Sequence, residues 1–274
     1  MTQPIHPDEA HAETNLAAER RRYGALNLPG LRLAIVAGRT GLLHLHSDRP
    51  LCCLSSASCG GGWSVVHDVL NAHVDKSYNS ESPGDDLKSR AREIGLREPF
   101  VGLLTAVYVE TAGIVERLVD GLRVAVVATA GVGNATAAGC ESPWRPVVSS
   151  TPSLPTPQAP GTINVVIIVD ADLAPEALVN LVMTVTEAKT MTLVQRGIRT
   201  SRGSAASGTS TDAVVVGCTG GPAGVSEPWS AAAATLRYAG PLTLVGHLAA
   251  ECTREAISQS LDQAVADAPG HVID

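Results

Sequence analysis

Polar side chains gather around the apolar runs of the second half of the chain: Thr162, Asn164, Thr186, Glu187, Lys189, Thr190, Thr209, Ser210, Thr211 and Asp212. Hydroxyls, a carboxamide, carboxylates and an ammonium are the groups with which nucleophilic and acid–base chemistry is done. Lys189 is one of only three lysines in an arginine-rich chain. Taken singly, Glu187 and Lys189 read as solvated helix residues and Asp212 as a turn cap. Taken together, they read as a site.

Other candidates carry less. Gly131-Val132-Gly133-Asn134 follows an apolar run, as a dinucleotide fingerprint would, but the third glycine is missing. A proline run stands where the acidic partner should be, and no G-x-x-x-x-G-K-[ST] exists. Small residues from Thr129 to Gly139 would still let a ligand approach backbone N–H groups there. Gly60-Gly61-Gly62 reads as a tight turn or a ligand cradle. His44 and His46 would point the same way from a strand, as two zinc ligands do, with His67 and His73 contributing from a neighbouring helix. The same alternation suits the solvated face of an edge strand. No G-x-S-x-G turn is present to place a serine nucleophile.

The elements that must position these residues follow from periodicity. Leu33–Ala37 reads as a strand stopped by Gly38, with short strands over Gly41–Ser47 and Leu51–Ser56. The glycine-rich loop then precedes an expected helix. Val101–Tyr108 is helix or strand. Leu122–Ala128 is β-branched and bounded by glycines, hence a buried strand. The clearest unit starts with a strand over Ile163–Val169, turns at Asp170–Ala174 and enters a helix with Pro175 at its first position. Leu178, Leu181, Val182, Val185 and Ala188 form its inner face, and Gly197 stops it. Ala213–Val216 is a further buried strand, Leu242–Leu248 is strand or helix start, and Cys252–Ala266 suits a terminal helix. This order predicts an α+β fold, layered mixed sheets covered by helices, an α/β/β/α stack being one form. Residues 1–25 read as a loose arm and 26–274 as one domain. Six prolines between Pro143 and Pro160 mark an insert over 141–160.

Composition narrows the partners. The chain has one Phe, three Trp and four Tyr, and a formal net charge of −7, so it offers neither stacking faces nor a basic footprint for nucleic acid. No C-x-x-C pair occurs, and Cys52 and Cys53 are adjacent, which argues against a disulfide framework. No signal peptide and no membrane span is expected, so a cytoplasmic location is. The oligomeric state stays open, a homo-oligomer included.

Several motifs converge on one family. Thr129-Ala130-Gly131-Val132-Gly133-Asn134-Ala135, Pro160-Gly161-Thr162-Ile163-Asn164, Thr186-Glu187-Ala188-Lys189-Thr190 and Gly208-Thr209-Ser210-Thr211-Asp212 resemble, in order, motifs of the adenosylcobinamide amidohydrolases. The Gly61-Gly62 loop and Asn71 fit that family's N-terminal part. Tyr238-Ala239-Gly240 with Gly246-His247 fits its C-terminal part. The resemblance covers roughly residues 30–260, and the proline run departs from it. It implies hydrolysis of adenosylcobinamide to adenosylcobyric acid and an aminopropanol product, in cobamide salvage. It implies a corrinoid as small-molecule partner, with cobalt belonging to that substrate, hence no cofactor and no metal site of the protein's own.

A fainter likeness, to self-cleaving ornithine acetyltransferases and DmpA-like aminopeptidases, implies roles. Thr162 would be the nucleophile, the Gly131 backbone N–H an oxyanion donor, and Lys189 or Glu187 the tuner of proton transfer, with Asn164 beside them. Thr129, Gly131, Gly133, Asn134, Gly61, Gly62, Asn71, Thr209, Thr211 and Asp212 would line the substrate. Ala130 stands where that group has an oxyanion hydroxyl, and Gly161 replaces the alanine before the nucleophile, so self-cleavage at Gly161–Thr162 is left open. The competing readings are a corrinoid binder without turnover and a self-processing threonine amidase or peptidase.

Overall fold

The computed structural model describes residues 20–21, 26–140, 161–220 and 235–266, so the proline-rich insert and most of the N-terminal arm lie outside the described residues. Eleven strands form in order: Arg20–Arg21 (β1), Leu31–Val36 (β2), Leu42–Ser55 (β3), Gly62–His73 (β4), Val101–Thr105 (β5), Gly113–Val119 (β6), Leu122–Ala130 (β7), Ala135–Thr136 (β8), Ile163–Val169 (β9), Gly208–Thr209 (β10) and Ala213–Cys218 (β11). Among the described residues three α-helices join them: Pro83–Glu93 (α1), Pro175–Gln195 (α2) and Leu244–Ala266 (α3).

The long strands β3 and β4 organise the layers. The first half of β3 pairs with β2 and its second half with β11, while β4 pairs along both halves. A register shift between His46 and Leu51, over Ser47-Asp48-Arg49-Pro50, is where the ribbon changes sheets. The hydrogen-bonded sheet is continuous over nine strands and folds here into two layers, the two sheets of the stack: β6-β7-β9-β11 with the second half of β3, and β1, β2, β4 and β5 with its first half. Alternation along β9 shows what lies on each side. Ile163, Val165, Ile167 and Val169 pack against α2 and α3, whereas Val166 and Ile168 join Leu43, Leu45, Val69 and Leu103 between the sheets. A third cluster, with Leu70, Leu87, Ala91 and Phe100, seats α1 on the outside of the second sheet. The result is the α/β/β/α stack, held by aliphatic side chains worth roughly 1.5–3 kcal/mol each when fully buried.

Differences from the sequence reading have local causes. The two short strands before Ser56 are one bulged strand. The stretch after Gly62 is strand β4 and not a helix: Gly62 at φ +82° opens it, and two-sided burial of Val66, Val69 and Leu70 blurs its period of two. Val101–Thr105 is strand, and Leu242–Leu248 belongs to the start of α3. Among the described residues one helix, α2, has the length and hydropathy to cross a membrane, and half of that window is buried inside the fold.

Candidate active site

Three loops meet at the N-terminal end of β9. The parallel partner β11 begins beside it at Ala213, opposite Asn164, and the antiparallel β7 ends beside it at Ala130, opposite Ile163. Segments 129–134, 161–164 and 208–212 are therefore neighbours by topology. Gly161 makes the approach possible. A Cβ there would lie 2.6 Å from the Gly131 carbonyl oxygen, 2.7 Å from Asn134 Oδ1 and 2.8 Å from Gly133 N, so only glycine fits.

Thr162 sits at the centre, 4% exposed, on the β9 face that looks between the sheets. Its hydroxyl donates to the Thr211 carbonyl at 2.7 Å and lies 3.0 Å from the Thr211 hydroxyl. That second hydroxyl is also 3.2 Å from the Gly161 carbonyl oxygen. Asn164, two residues on, faces the same way. It donates to Asn71 Oδ1 at 2.9 Å and to the Leu104 carbonyl at 2.8 Å, and Asn71 donates onward to Thr129 Oγ1 at 2.9 Å. This buried chain of amides ties both sheets together next to Thr162.

Behind β9, Asp212 holds the 208–212 turn. Its carboxylate accepts from the Ile163 N–H at 3.1 Å, the Thr209 N–H at 3.1 Å, the Thr209 hydroxyl at 2.5 Å and the Lys189 ammonium. Lys189 and Asp212 side chains are 9% and 12% exposed, a largely desolvated ion pair. Gly208 is required here as well, because a Cβ would fall 2.3 Å from Asp212 Oδ2 and 2.7 Å from Lys189 Nζ. The pair sets the turn, and the turn sets Thr211 against Thr162. On the other side, Asn134 donates to Ser210 Oγ at 2.9 Å, latching the glycine loop onto the same turn. Among the described residues, Asn134 Oδ1 and Asn164 Oδ1 are buried acceptors without a partner. Buried acceptors are rarely left so, and each stands beside the Thr162 segment, one on the glycine loop and one on β9.

The structure thus brings together Thr162, Asn164, Lys189, Thr129, Gly131, Asn134, Asn71, Thr209, Thr211 and Asp212. It departs from the sequence reading in three places. The Gly131 N–H donates to the Thr162 carbonyl at 2.9 Å, extending the β7–β9 ladder, and is not available to an oxyanion. Glu187 is exposed on α2, roughly 200° around the helix from the buried Lys189. Gly61 and Gly62 are exposed in the β3–β4 turn, and no hydrogen bond among the described residues joins them to the cluster. Gly133 lies at the loop tip, and its N–H has no partner among the described residues.

Sequence reasoning missed the Leu104 carbonyl, Val107, whose Cγ2 presses on Gly131, and the pairing of His73 with Tyr108. The buried His73 ring stacks on Tyr108 at 4.7 Å between centroids, and its Nδ1 is 3.0 Å from the Val107 carbonyl oxygen. Backbone carbonyls carry no sequence signal, and the sequence pattern of β4 does not disclose a strand. The C-terminal motif has a structural part: the Ala239 carbonyl accepts from Thr184 of α2, and Thr243 caps α3 through Gly246 N at 3.1 Å.

Comparison with known proteins agrees with the motif order. A family model described as adenosylcobinamide amidohydrolase matches residues 32–269. The adenosylcobinamide amidohydrolase of Halobacterium salinarum is 36% identical over 219 residues, 79% of this chain and 83% of that protein. Its namesake in Methanosarcina mazei is 29% identical over 210 residues, 76% of this chain and 88% of that one. Among solved structures, a Burkholderia sp. beta-aminopeptidase superposes with a TM-score of 0.43 at 14% identity, covering 81% of this chain and 79% of the other. The L-aminopeptidase D-Ala-esterase/amidase of Ochrobactrum anthropi gives 0.44 at 12% identity, over 89% and 82%. Likenesses of that size decide nothing about the chemistry.

Proposed function

The chain belongs to the adenosylcobinamide amidohydrolase family, and from that premise we propose that it hydrolyses the amide linking the aminopropanol arm to the corrin ring of adenosylcobinamide. The products are adenosylcobyric acid and the free amino alcohol, and the reaction serves corrinoid salvage. The observation that carries the reading is the Thr162 hydroxyl at the meeting point of the four family motifs, held by the Thr211 carbonyl and hydroxyl. A corrinoid is fringed by primary amides, which call for hydroxyl, carboxamide and backbone partners rather than basic side chains.

In this reading Thr162 Oγ1 attacks the substrate carbonyl carbon and the C–N bond breaks, giving an ester on Thr162 that water then cleaves. The developing oxyanion needs a donor, typically worth about 3–4 kcal/mol. With the Gly131 N–H engaged in the ladder, the Gly133 N–H and the Thr211 hydroxyl are the donors we assign. Lys189, held by Asp212, acts on the geometry and the local field and not as the base. A threonine nucleophile can use its own α-amino group as base once the preceding peptide bond is cut. The Thr211 hydroxyl, 3.2 Å from the Gly161 carbonyl oxygen and 3.0 Å from Thr162 Oγ1, favours that variant. Intact mass under denaturing conditions separates it from an uncleaved enzyme that activates water. The activity itself is tested by incubating the purified protein with adenosylcobinamide and following adenosylcobyric acid by chromatography and mass. Binding without product would shift the assignment to a corrinoid carrier, and neither binding nor product would sink the substrate assignment.

A further inference from the structure

On the outer face of the second sheet, away from the Thr162 cluster, β3 and β4 converge two imidazoles and a carboxylate. His44 and His46 alternate with Leu43 and Leu45, which are buried between the sheets, so both rings share the opposite face. β3 is not an edge strand here, because β2 and β4 flank it. Asp68 stands directly opposite His46 in the ladder and diagonal to His44, which pairs with Leu70. His44 Nε2 lies 2.8 Å and His46 Nδ1 2.7 Å from the same oxygen, Asp68 Oδ1. The three ligand atoms lie within 4.8 Å of one another. On β4, Asp68 faces out while Val69 and Asn71 face the inter-sheet side, so this group and the amide chain occupy opposite faces of one strand.

We propose that His44, His46 and Asp68 bind one divalent transition-metal ion of the zinc class. Two imidazole nitrogens and one carboxylate oxygen select zinc, cobalt, nickel or iron over magnesium and calcium, which want all-oxygen shells. Zinc bonds of about 2.0–2.2 Å in a tetrahedron set ligand atoms roughly 3.3 Å apart. The present N···O separations of 2.7 and 2.8 Å need open by only about half an ångström. The imidazoles, 26% and 32% exposed, have room to rotate by that much about the 10%-exposed Asp68 side chain. Beside His46 a second carboxylate stands within ion-pair range, though beyond hydrogen-bond distance. The other nitrogen of His46, Nε2, is 3.7 Å from Asp48 Oδ1, and Asp48 is itself fixed by Arg32 at 2.7 Å. His67 does not join the set: its Nδ1 is 2.8 Å from the Ser47 carbonyl oxygen. Three protein ligands and partial exposure leave the fourth position to water, so the ion braces β3 against β4.

The test uses the full chain after dialysis against a chelator, titrated with Co²⁺ and followed by visible d–d absorption, with Zn²⁺ as competitor. The expected result is one equivalent of Co²⁺ bound, bleached by Zn²⁺, and a thermal unfolding midpoint raised by Zn²⁺. Asp68→Asn and His46→Gln, checked for folding by far-UV circular dichroism, should each weaken binding by about tenfold or more. His247→Ala should leave it unchanged. No Co²⁺ uptake by the wild type, or uptake equally strong in Asp68→Asn and His46→Gln, overturns the proposal and leaves a hydrogen-bonded His–Asp–His group. Both outcomes are independent of whether adenosylcobinamide is a substrate.

Discussion

Replacing Asp212 by alanine should separate two views of the Lys189–Asp212 pair: a clamp for the Thr211 turn, or a proton-transfer couple. The carboxylate gathers the Ile163 and Thr209 N–H groups, the Thr209 hydroxyl and the Lys189 ammonium. Its loss leaves a 91%-buried cation uncompensated, since the Lys189 side chain is 9% exposed. Breaking a buried pair from one side costs about 3–5 kcal/mol, much of it the stranded partner's desolvation. Lys189→Met is the milder cut. Asp212 keeps its other three donors, and methionine refills the aliphatic part, so about 1.5–3 kcal/mol is expected from the loss of one charge-assisted hydrogen bond. The double variant should cost less than the sum of the singles, because no charge is then stranded. Urea unfolding followed by far-UV circular dichroism reads all three, provided the m-values agree. An Asp212→Ala cost below about 1 kcal/mol, or a larger cost for Lys189→Met, would refute the clamp.

Further expectations follow from the same geometry. Gly161→Ala should lower stability by about 1–3 kcal/mol and abolish turnover, since its Cβ meets backbone atoms of the 131–133 loop that cannot swing away; unfolding curves and product assays check it. Glu187→Gln should leave kcat and its pH profile unchanged, and a tenfold fall would return the exposed carboxylate to the mechanism. Cys52 should be the readily alkylated member of the cross-strand pair it forms with Cys218. A hydrogen bond from Cys218 lowers the Cys52 thiol from 9.0 to about 7 against the opposing effects of burial and Asp172, so its labelling by iodoacetamide should rise through pH 7. Burial drives Cys53 up to about 12, and the Cys52 bond and burial drive Cys218 upward too, so peptide mapping should find both protected. Equal labelling of Cys52 and Cys53 at pH 7.5 would contradict that picture.

What the sequence disclosed was mostly local. The unit from Ile163 to Gly197 was legible because its signals are short-range: a β-branched run, a proline at the helix start, and a glycine whose observed φ is +68° at the stop. The four motifs around Thr162 were legible as a set, since apolar strands had to bring their ends to one edge of a sheet. What each member does was not. The periodicity puts Ala188 of Thr-Glu-Ala-Lys-Thr inward, but only the packed helix shows the inner face extending to Lys189 and leaving Glu187 outside. The Gly131 N–H looked like a free donor until the β7–β9 register assigned it to the Thr162 carbonyl. Asn71 entered through the resemblance alone, because its partners, Asn164 and Thr129, lie 93 and 58 residues away. Asp68 escaped for a related reason: a cross-strand partner is visible only when the strand is recognised, and β4 reads as a helix.

The most direct test pairs turnover with binding for the wild type, Thr162→Ala and Thr162→Ser on adenosylcobinamide. The expected result is adenosylcobyric acid from the wild type, a kcat reduced by several orders of magnitude in Thr162→Ala with corrinoid affinity retained, and partial recovery in Thr162→Ser. Full hydrolysis by Thr162→Ala would contradict the account and move the nucleophile from this hydroxyl to an activated water.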